Sequence, residues 1–327
     1  MTIYYKDAYI NETSVTAGPF LIDGPLKEKF DNVYTDFYDK EKTFEDCEVN
    51  ELVKTINTLL RKGNYNNRDI SLLISADLSN QIVISNLAAN KLGITYFGIY
   101  NACASFCESI ILASSLLYNR DDKVICTTSA HNLTSERQFK APVEYGMPKP
   151  EYSTFTASAA TACIVSHKKE GVRIESGTIG KVIDLGVKDA FDMGSAMSPA
   201  AAYTLNKHLK DTNRDISYYD LILTGDLGLY GKKIFKEFCL KEYGLKINNY
   251  NDAACLIYNN KDSRVCAGGS GPSCLPTYVF CEIIPKMKKK KIKRVLLLAT
   301  GALFSTTSVN QKKSIPCICH AVSLEAI

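Results

Sequence analysis

The 327-residue chain repeats itself with a long period, and that duplication limits its folding more than any other feature. "DISLLISADLSN" (69–80) matches "YDLILTGDLGLY" (219–230), with Asp77 and Asp226 in the same place. "GIYNACASFCES" (98–109) matches "CAGGSGPSCLP" (266–276), a small-residue turn before a helix. "KVICTTSAHNLT" (123–134) aligns with "RVLLLATGALFS" (294–305), and "TACIVSH" (161–167) with "CICHAVSLE" (317–325). The matches keep their order. Each half therefore reads strand, helix, small-residue turn, helix, strand, long excursion, strand. Strands alternating with helices, in near-continuous apolar runs, predict layered α/β architecture with sheets covered on both faces. The halves are expected at 1–175 and 176–327, packed about a pseudo-twofold axis. Their equivalent loops then converge on one cleft.

Composition closes off other classes. Hydrophobic content of 46% and charged content of 23% are those of an ordinary globular protein, and a net charge of +4 does not imply nucleic acid. No apolar run approaches the roughly 20 residues of a membrane span. The start, "MTIYYKDAYINET", lacks the apolar core of a signal peptide. The twelve cysteines are expected as reduced thiols, most of them inside apolar strands (Cys126, Cys163, Cys317, Cys319). The four histidines, His131, His167, His208 and His320, are too scattered for a zinc site. "TFEDCEVNELVKTINTLLRKGN" (43–64) predicts a helix capped by Thr43 and stopped at Gly63. "KMKKKKIKR" (286–294) reads as a solvated helix end, or else as a contact for an anionic membrane surface or partner.

Cys103 stands where a strand ends and an apolar helix, about 104–118, begins. The helix dipole there would lower a thiol's pKa, and Ala102, Ala104 and Ser105 let a substrate come close. The position suits a nucleophile and equally a buried helix-start cysteine.

The duplicated plan with this cysteine turn resembles the thiolase and ketoacyl-synthase superfamily. Longer stretches resemble one of its branches, the stage V sporulation protein AD family: "ISADLSNQ" (74–81), "TSAHNLTSERQFKAPVEYG" (128–146), "GKVIDLGVKDAFDMGSAMSPAAA" (180–202), "AGGSG" (267–271), "ATGAL" (299–303) and "SIPCICHAVSLE" (314–325). The resemblance implies a five-layer α-β-α-β-α fold of two similar halves. Active members of the superfamily pair the cysteine with His and His, or His and Asn, from the second half. Here Gly225 and Asp226 stand at the first position, and Gly268, Gly269 and Ser270 at the second. A carboxylate beside a forming carbanion repels it, so Cys103 is expected to be the remnant of an acyl-transfer site rather than a catalytic residue. The alternative is a condensing enzyme or acyl-transferase that still uses Cys103.

The family resemblance further implies binding of dipicolinate (pyridine-2,6-dicarboxylate), free or as its calcium chelate, for uptake into the developing spore. It implies membrane-embedded proteins of the same uptake system as partners and peripheral attachment to the spore inner membrane. No cofactor, resident metal or nucleic acid is expected, and a homodimer is plausible. A flat dianion asks for cationic or N–H donors and a small or apolar surface for its ring. Arg137 is the first candidate for carboxylate contact, its other reading being a surface ion pair. His131 and Asn132 follow a strand aimed at the cleft, as ligand donors or as structural residues. His320 lies in the last strand, as a donor or a core histidine. Asp192 and Ser195 shape the entrance, hold calcium, or cap a helix. Ser270 and Cys103 complete the candidate set. "AGGSG" is read as close backbone packing, and Asp77 and Asp226 as a symmetric pair of helix caps.

Overall fold

The computed structural model describes residues 1–139, 148–259 and 262–327. The stretch 140–146 of the motif "TSAHNLTSERQFKAPVEYG" thus lies outside the described residues. Ten strands build the frame. The first five are β1 (Tyr9–Ala17), β2 (Leu72–Ala76), β3 (Tyr96–Gly98), β4 (Lys123–Ala130) and β5 (Ala159–Ser166). The second five are β6 (Val172–Thr178), β7 (Leu221–Thr224), β8 (Tyr250–Asp252), β9 (Arg294–Ala302) and β10 (Cys317–Ala326).

The first set pairs in the spatial order β3-β2-β4-β5-β1 and the second in the order β8-β7-β9-β10-β6. These are the same permutation. Pairing sense also repeats: β2 is parallel to β3 and β4, as β7 is to β8 and β9, while the remaining neighbours are antiparallel. The duplication in the sequence is thus a duplication of topology. The two sheets touch through a short antiparallel bridge, Tyr9 to Arg173 and Ile10 to Val172. The boundary expected at 175/176 falls inside β6, whose pairing with β10 puts the whole strand in the second sheet.

Five layers result. Helices α1 (Phe44–Gly63) and α2 (Val83–Leu92) cover the outer face of the first sheet. In the middle, α3 (Ser105–Leu116) packs on strands of both sheets. It shares that layer with α7 (Cys274–Tyr278), a π-turn (Val279–Ile283) and α8 (Ile284–Lys288). Helix α4 (Asn132–Phe139) follows β4. Helices α5 (Met193–Thr212) and α6 (Gly228–Tyr243) cover the outer face of the second sheet. The middle layer carries the largest core, with Phe106, Ile110, Phe280 and Ile284 among strand residues of both sheets. Smaller cores lie beneath α1 and α2 and beneath α5 and α6. Among the described residues no helix is long and apolar enough to cross a membrane.

Local signals act largely as their chemistry dictates. Thr43 caps α1 by accepting from the Asp46 amide (3.0 Å). The stop is Asn64 rather than Gly63: Asn64 takes the left-handed conformation, and Gly63 is the last helical residue. Glu48, buried on α1, accepts from the Ser129 hydroxyl at the end of β4 (2.8 Å) and from Thr134 of α4 (3.1 Å). Burial first, then the Asp77 charge, pushes its carboxyl up to about 8.

One glycine of β9 controls how closely the two halves meet. A Cβ on Gly301 would lie 2.2 Å from the Asn101 carbonyl oxygen and 3.1 Å from Ala104 Cβ. The cysteine turn of the first half therefore rests on the backbone of the second. Gly301→Ala must push that turn away, and is expected to lower the unfolding free energy by about 1–3 kcal/mol. Urea unfolding measures it, and a parental midpoint would contradict the close approach.

Candidate functional site

Between β3 and α3 the chain makes a tight turn, with Asn101 and Cys103 bridged and Ala102 at φ 49°. A non-glycine residue in that conformation is costly and is held here by the packing against Gly301. The turn delivers the Cys103 side chain into a cleft at the meeting point of the halves. The first half supplies Leu78, Tyr100 and, from α4, Ser135 and Glu136. The second supplies the Ser270–Gly271 loop, Met193 at the start of α5, and Ala302 and Phe304 beyond β9. The inner volume is about 30 Å³, enough for a water or two. It adjoins a wider vestibule of about 250 Å³. Tyr100 and Phe304 line both, and Ser79, Asn80, Gln81, Gln138 and Ser305 complete the outer part.

Asp226 lies beneath the thiol and is 1% exposed. Its Oδ1 accepts from the Thr300 hydroxyl at 2.5 Å, while Oδ2 has no partner of ordinary geometry. The Cys103 thiol is the neighbouring group that interacts with this carboxyl. Burial, partly offset by the Cys103 and Thr300 hydrogen bonds, pushes the Asp226 carboxyl up to about 7. Burial and then the Asp226 charge push the thiol well above the usual cysteine range. This reverses the expectation of a thiol activated by a helix dipole. Cys103 precedes the first residue of α3 by two positions, and the adjacent carboxylate and the loss of solvent outweigh the dipole and the Gly271 amide. Among the described residues no imidazole and no side-chain amide hydrogen-bonds the sulfur.

The other sequence candidates separate into those at the cleft and those away from it. Ser270 is buried in the cleft wall, on a two-residue strand paired with Phe155–Thr156. The loop before it is tightly packed, as expected: a Cβ on Gly268 would meet the Ala254 oxygen at 2.6 Å, at a φ of 122°. Arg137 does not line the cleft; it is exposed, paired with Glu45 and set over the Phe44 ring. A second cation, Lys149, has its Nζ 3.2 Å from Glu136, which lines the cleft, and lies over the Phe155 ring. Lys149 carries no motif, and only tertiary packing brings it here. His131 is turned away from the cleft, its Nε2 2.9 Å from the Phe37 oxygen and its ring against Phe37 and Phe44. Burial lowers its pKa to about 4.

Asn132 donates through Nδ2 to the Thr156 oxygen (3.2 Å), a structural bond. His320 lies behind the cysteine turn: Nδ1 accepts from the Gly180 amide (3.3 Å) and Nε2 is 3.5 Å from Asn101 Nδ2. Burial lowers its pKa to about 4 as well. Asp192 caps α5 by accepting from the Ser195 amide (3.2 Å), and Met193 between them, rather than either polar residue, lines the cleft. The expected symmetry of the aspartates does not hold. Asp77 accepts from the Ser79 and Ser85 amides and shapes the entry to α2. Asp226 caps nothing, and Asp252 takes the amides at the start of α6. Tyr100 and Phe304 were not singled out from the sequence, since exposed or loop aromatics carry no period. Among the described residues no set of three His, Cys, Asp or Glu side chains is arranged to hold a metal ion.

Comparison with known proteins agrees with this architecture. The family model for stage V sporulation protein AD matches residues 2–325. The chain is 40% identical over 324 residues to stage V sporulation protein AD of Bacillus subtilis (strain 168), covering 99% of this chain and 96% of that one. Among solved structures, 3-oxoacyl-[acyl-carrier-protein] synthase III from Aquifex aeolicus superposes with a TM-score of 0.59 at 13% identity, covering 97% of this chain and 99% of its own. A variant of OleA from Xanthomonas campestris gives 0.62 at 14% identity, covering 99% of both chains. These likenesses establish the thiolase-like fold.

The Asp226 carboxyl sets a pH signature. Below about pH 4 it is protonated folded and unfolded. From about 4 to 7 the unfolded chain releases the proton that the fold retains, so its contribution to stability falls as pH rises, then levels off. The melting-temperature advantage of Asp226→Asn over the parent should grow across that window and stay flat above it. A constant difference would contradict the buried, proton-retaining carboxyl.

Proposed function

We propose, from the premise that this chain belongs to the stage V sporulation protein AD family, that it binds dipicolinate and carries out no covalent chemistry on it. It is a sporulation protein of thiolase-like fold. The observation that carries the reading is the Cys103–Asp226 contact. A thiol held neutral by burial and by a facing carboxyl is a poor nucleophile. Once ionised, above about pH 7, the Asp226 carboxylate repels a thioester oxyanion rather than stabilising it. What remains is a cleft with a mouth, offering aromatic faces and neutral donors.

The inner cleft is too small for a pyridine dicarboxylate, so the ligand belongs in the vestibule, its ring between Tyr100 and Phe304. Asn80, Gln138 and the Ser79 and Ser305 hydroxyls supply donors for one carboxylate. Lys149 is close enough to leave Glu136 for the other. Calcium on the ligand cancels its charge and relieves repulsion from Glu136 and Asp226. In this reading the protein serves dipicolinate uptake into the developing spore. It meets membrane-embedded proteins of the same system and attaches to the inner membrane peripherally, since a bilayer path must come from those partners. A homodimer is favoured by the open edge of the first sheet. There β3 has β2 as its sheet neighbour, and Val83, Leu87, Phe97 and Tyr100 are 38–45% exposed.

Calorimetry with dipicolinate, with and without calcium, tests the reading. Saturable heat is expected, weakened at least about tenfold by Lys149→Ala and by Phe304→Ala. An absence of heat at millimolar ligand in both conditions would overturn it. Incubation with short acyl-thioesters, followed by mass spectrometry, should show no adduct on Cys103. A stable adduct that Cys103→Ala abolishes would establish the condensing-enzyme alternative instead.

A further inference from the structure

At the far end of the middle layer, away from the cleft, the chain concentrates its positive charge. Positions 286–294 hold seven of the 39 Lys and Arg residues and no acid, so the remainder of the chain has fewer cations than its 35 acids. This segment is not a loose tail. Helix α8 ends at Lys288, and the Lys289, Lys290 and Lys291 amides bond back to the carbonyls of Pro285, Met287 and Lys286 at 3.2, 2.8 and 2.9 Å. The Lys293 and Arg294 amides are then fixed by Asp220 Oδ2 at 2.7 and 2.9 Å. Met287 is buried, and Ile292 packs on the core, so the residues between them face outward. Lys290 adopts φ 56°, a conformation in which glycine or asparagine is the usual residue. A charge is retained there at a backbone cost.

The charge is also largely uncompensated. Lys286 pairs with Glu282 and Arg294 with Glu325. Lys288 donates to the Asn11 carbonyl at 3.2 Å. Among the described residues, Lys289, Lys290, Lys291 and Lys293 have no acidic partner. Beside them runs a broad groove of about 640 Å³, floored by Val15, Phe280, Ile284 and Pro285. Lys29 and Lys62 also line it, paired with Glu282 and with Asp31 and Glu12.

We infer that this corner is a contact face for an anionic phospholipid surface, the lysines meeting headgroup phosphates and the groove admitting part of a lipid. A single small anion would engage one or two of these ammonium groups. A plane of phosphates engages the whole fixed row at once, and its attraction is of the order of fivefold in partition per lysine near the surface. The lysines are point charges suited to phosphate rather than to the edges of bases. The face is independent of whether the vestibule takes dipicolinate.

Flotation of the whole chain with vesicles tests the inference. The protein should rise with phosphatidylcholine–phosphatidylglycerol vesicles and stay behind with phosphatidylcholine alone. Molar salt, which shortens the screening length to about 3 Å, should release it. Changing Lys289, Lys290 and Lys291 together to Glu should lower the partition at least about 100-fold, with the dipicolinate response and melting temperature unchanged. Should that variant melt early, the same three positions as Gln keep the test open, with a smaller loss expected. Equal flotation with both vesicle types would overturn the assignment. So would parental binding by the variants, or displacement of bound vesicles by a stoichiometric acidic peptide or duplex DNA.

Discussion

The fold depends on the burial of its middle layer. Helix α3 and the buried face of the α7–α8 segment lie between the two sheets, so those surfaces must be apolar and both sheets must bury two faces. That requirement explains the Val-, Ile- and Leu-rich strands. It also explains why the cysteine turn at the head of α3 is pressed against β9 rather than left in solvent. At Gly301, a side chain would meet the backbone of that turn. The strained Ala102 is the other half of the same contact. Tyr100 and Phe304 stand between the narrow cleft and the vestibule.

Electrostatics then decides what such a site can do. The turn that would activate a thiol in an exposed helix-start setting here buries it against Asp226. Burial raises both groups, the Asp226 charge raises the thiol further, and the Cys103 hydrogen bond lowers Asp226 in return. A nucleophile needs the opposite arrangement, a cation or a base within reach. The burial that keeps the proton on Asp226 also raises the Cys103 thiol. The positive charge lies elsewhere: Lys149 beside Glu136, and the fixed lysine row at the opposite end of the middle layer.

The architecture was legible in the residues because duplication writes itself twice. Matched segments around Asp77 and Asp226, around the two small-residue turns and in the paired strands led to two halves, and the halves proved to share one strand permutation. Caps were legible where their chemistry is local, as at Thr43 and Asp192. The cleft was legible only in part. Cys103 and Ser270 face it, yet His131, Asn132, His320 and Arg137 have found partners in the packing or on the surface. A polar residue beside a strand end carries no mark of which way its rotamer will turn, and a buried donor goes to the nearest acceptor.

What the sequence determined alone was the periodic and the local: the two-fold plan, the apolar strands and the helix starts. Tertiary structure decided the long-range and the electrostatic. It set Asp226 against Cys103, brought Lys149 to Glu136, and made Tyr100 and Phe304 neighbours across the halves. The reason is that burial and charge interact over distances in space of a few ångströms, while the residues concerned are separated by up to about three-fifths of the chain. No spacing rule written along the sequence encodes such proximity.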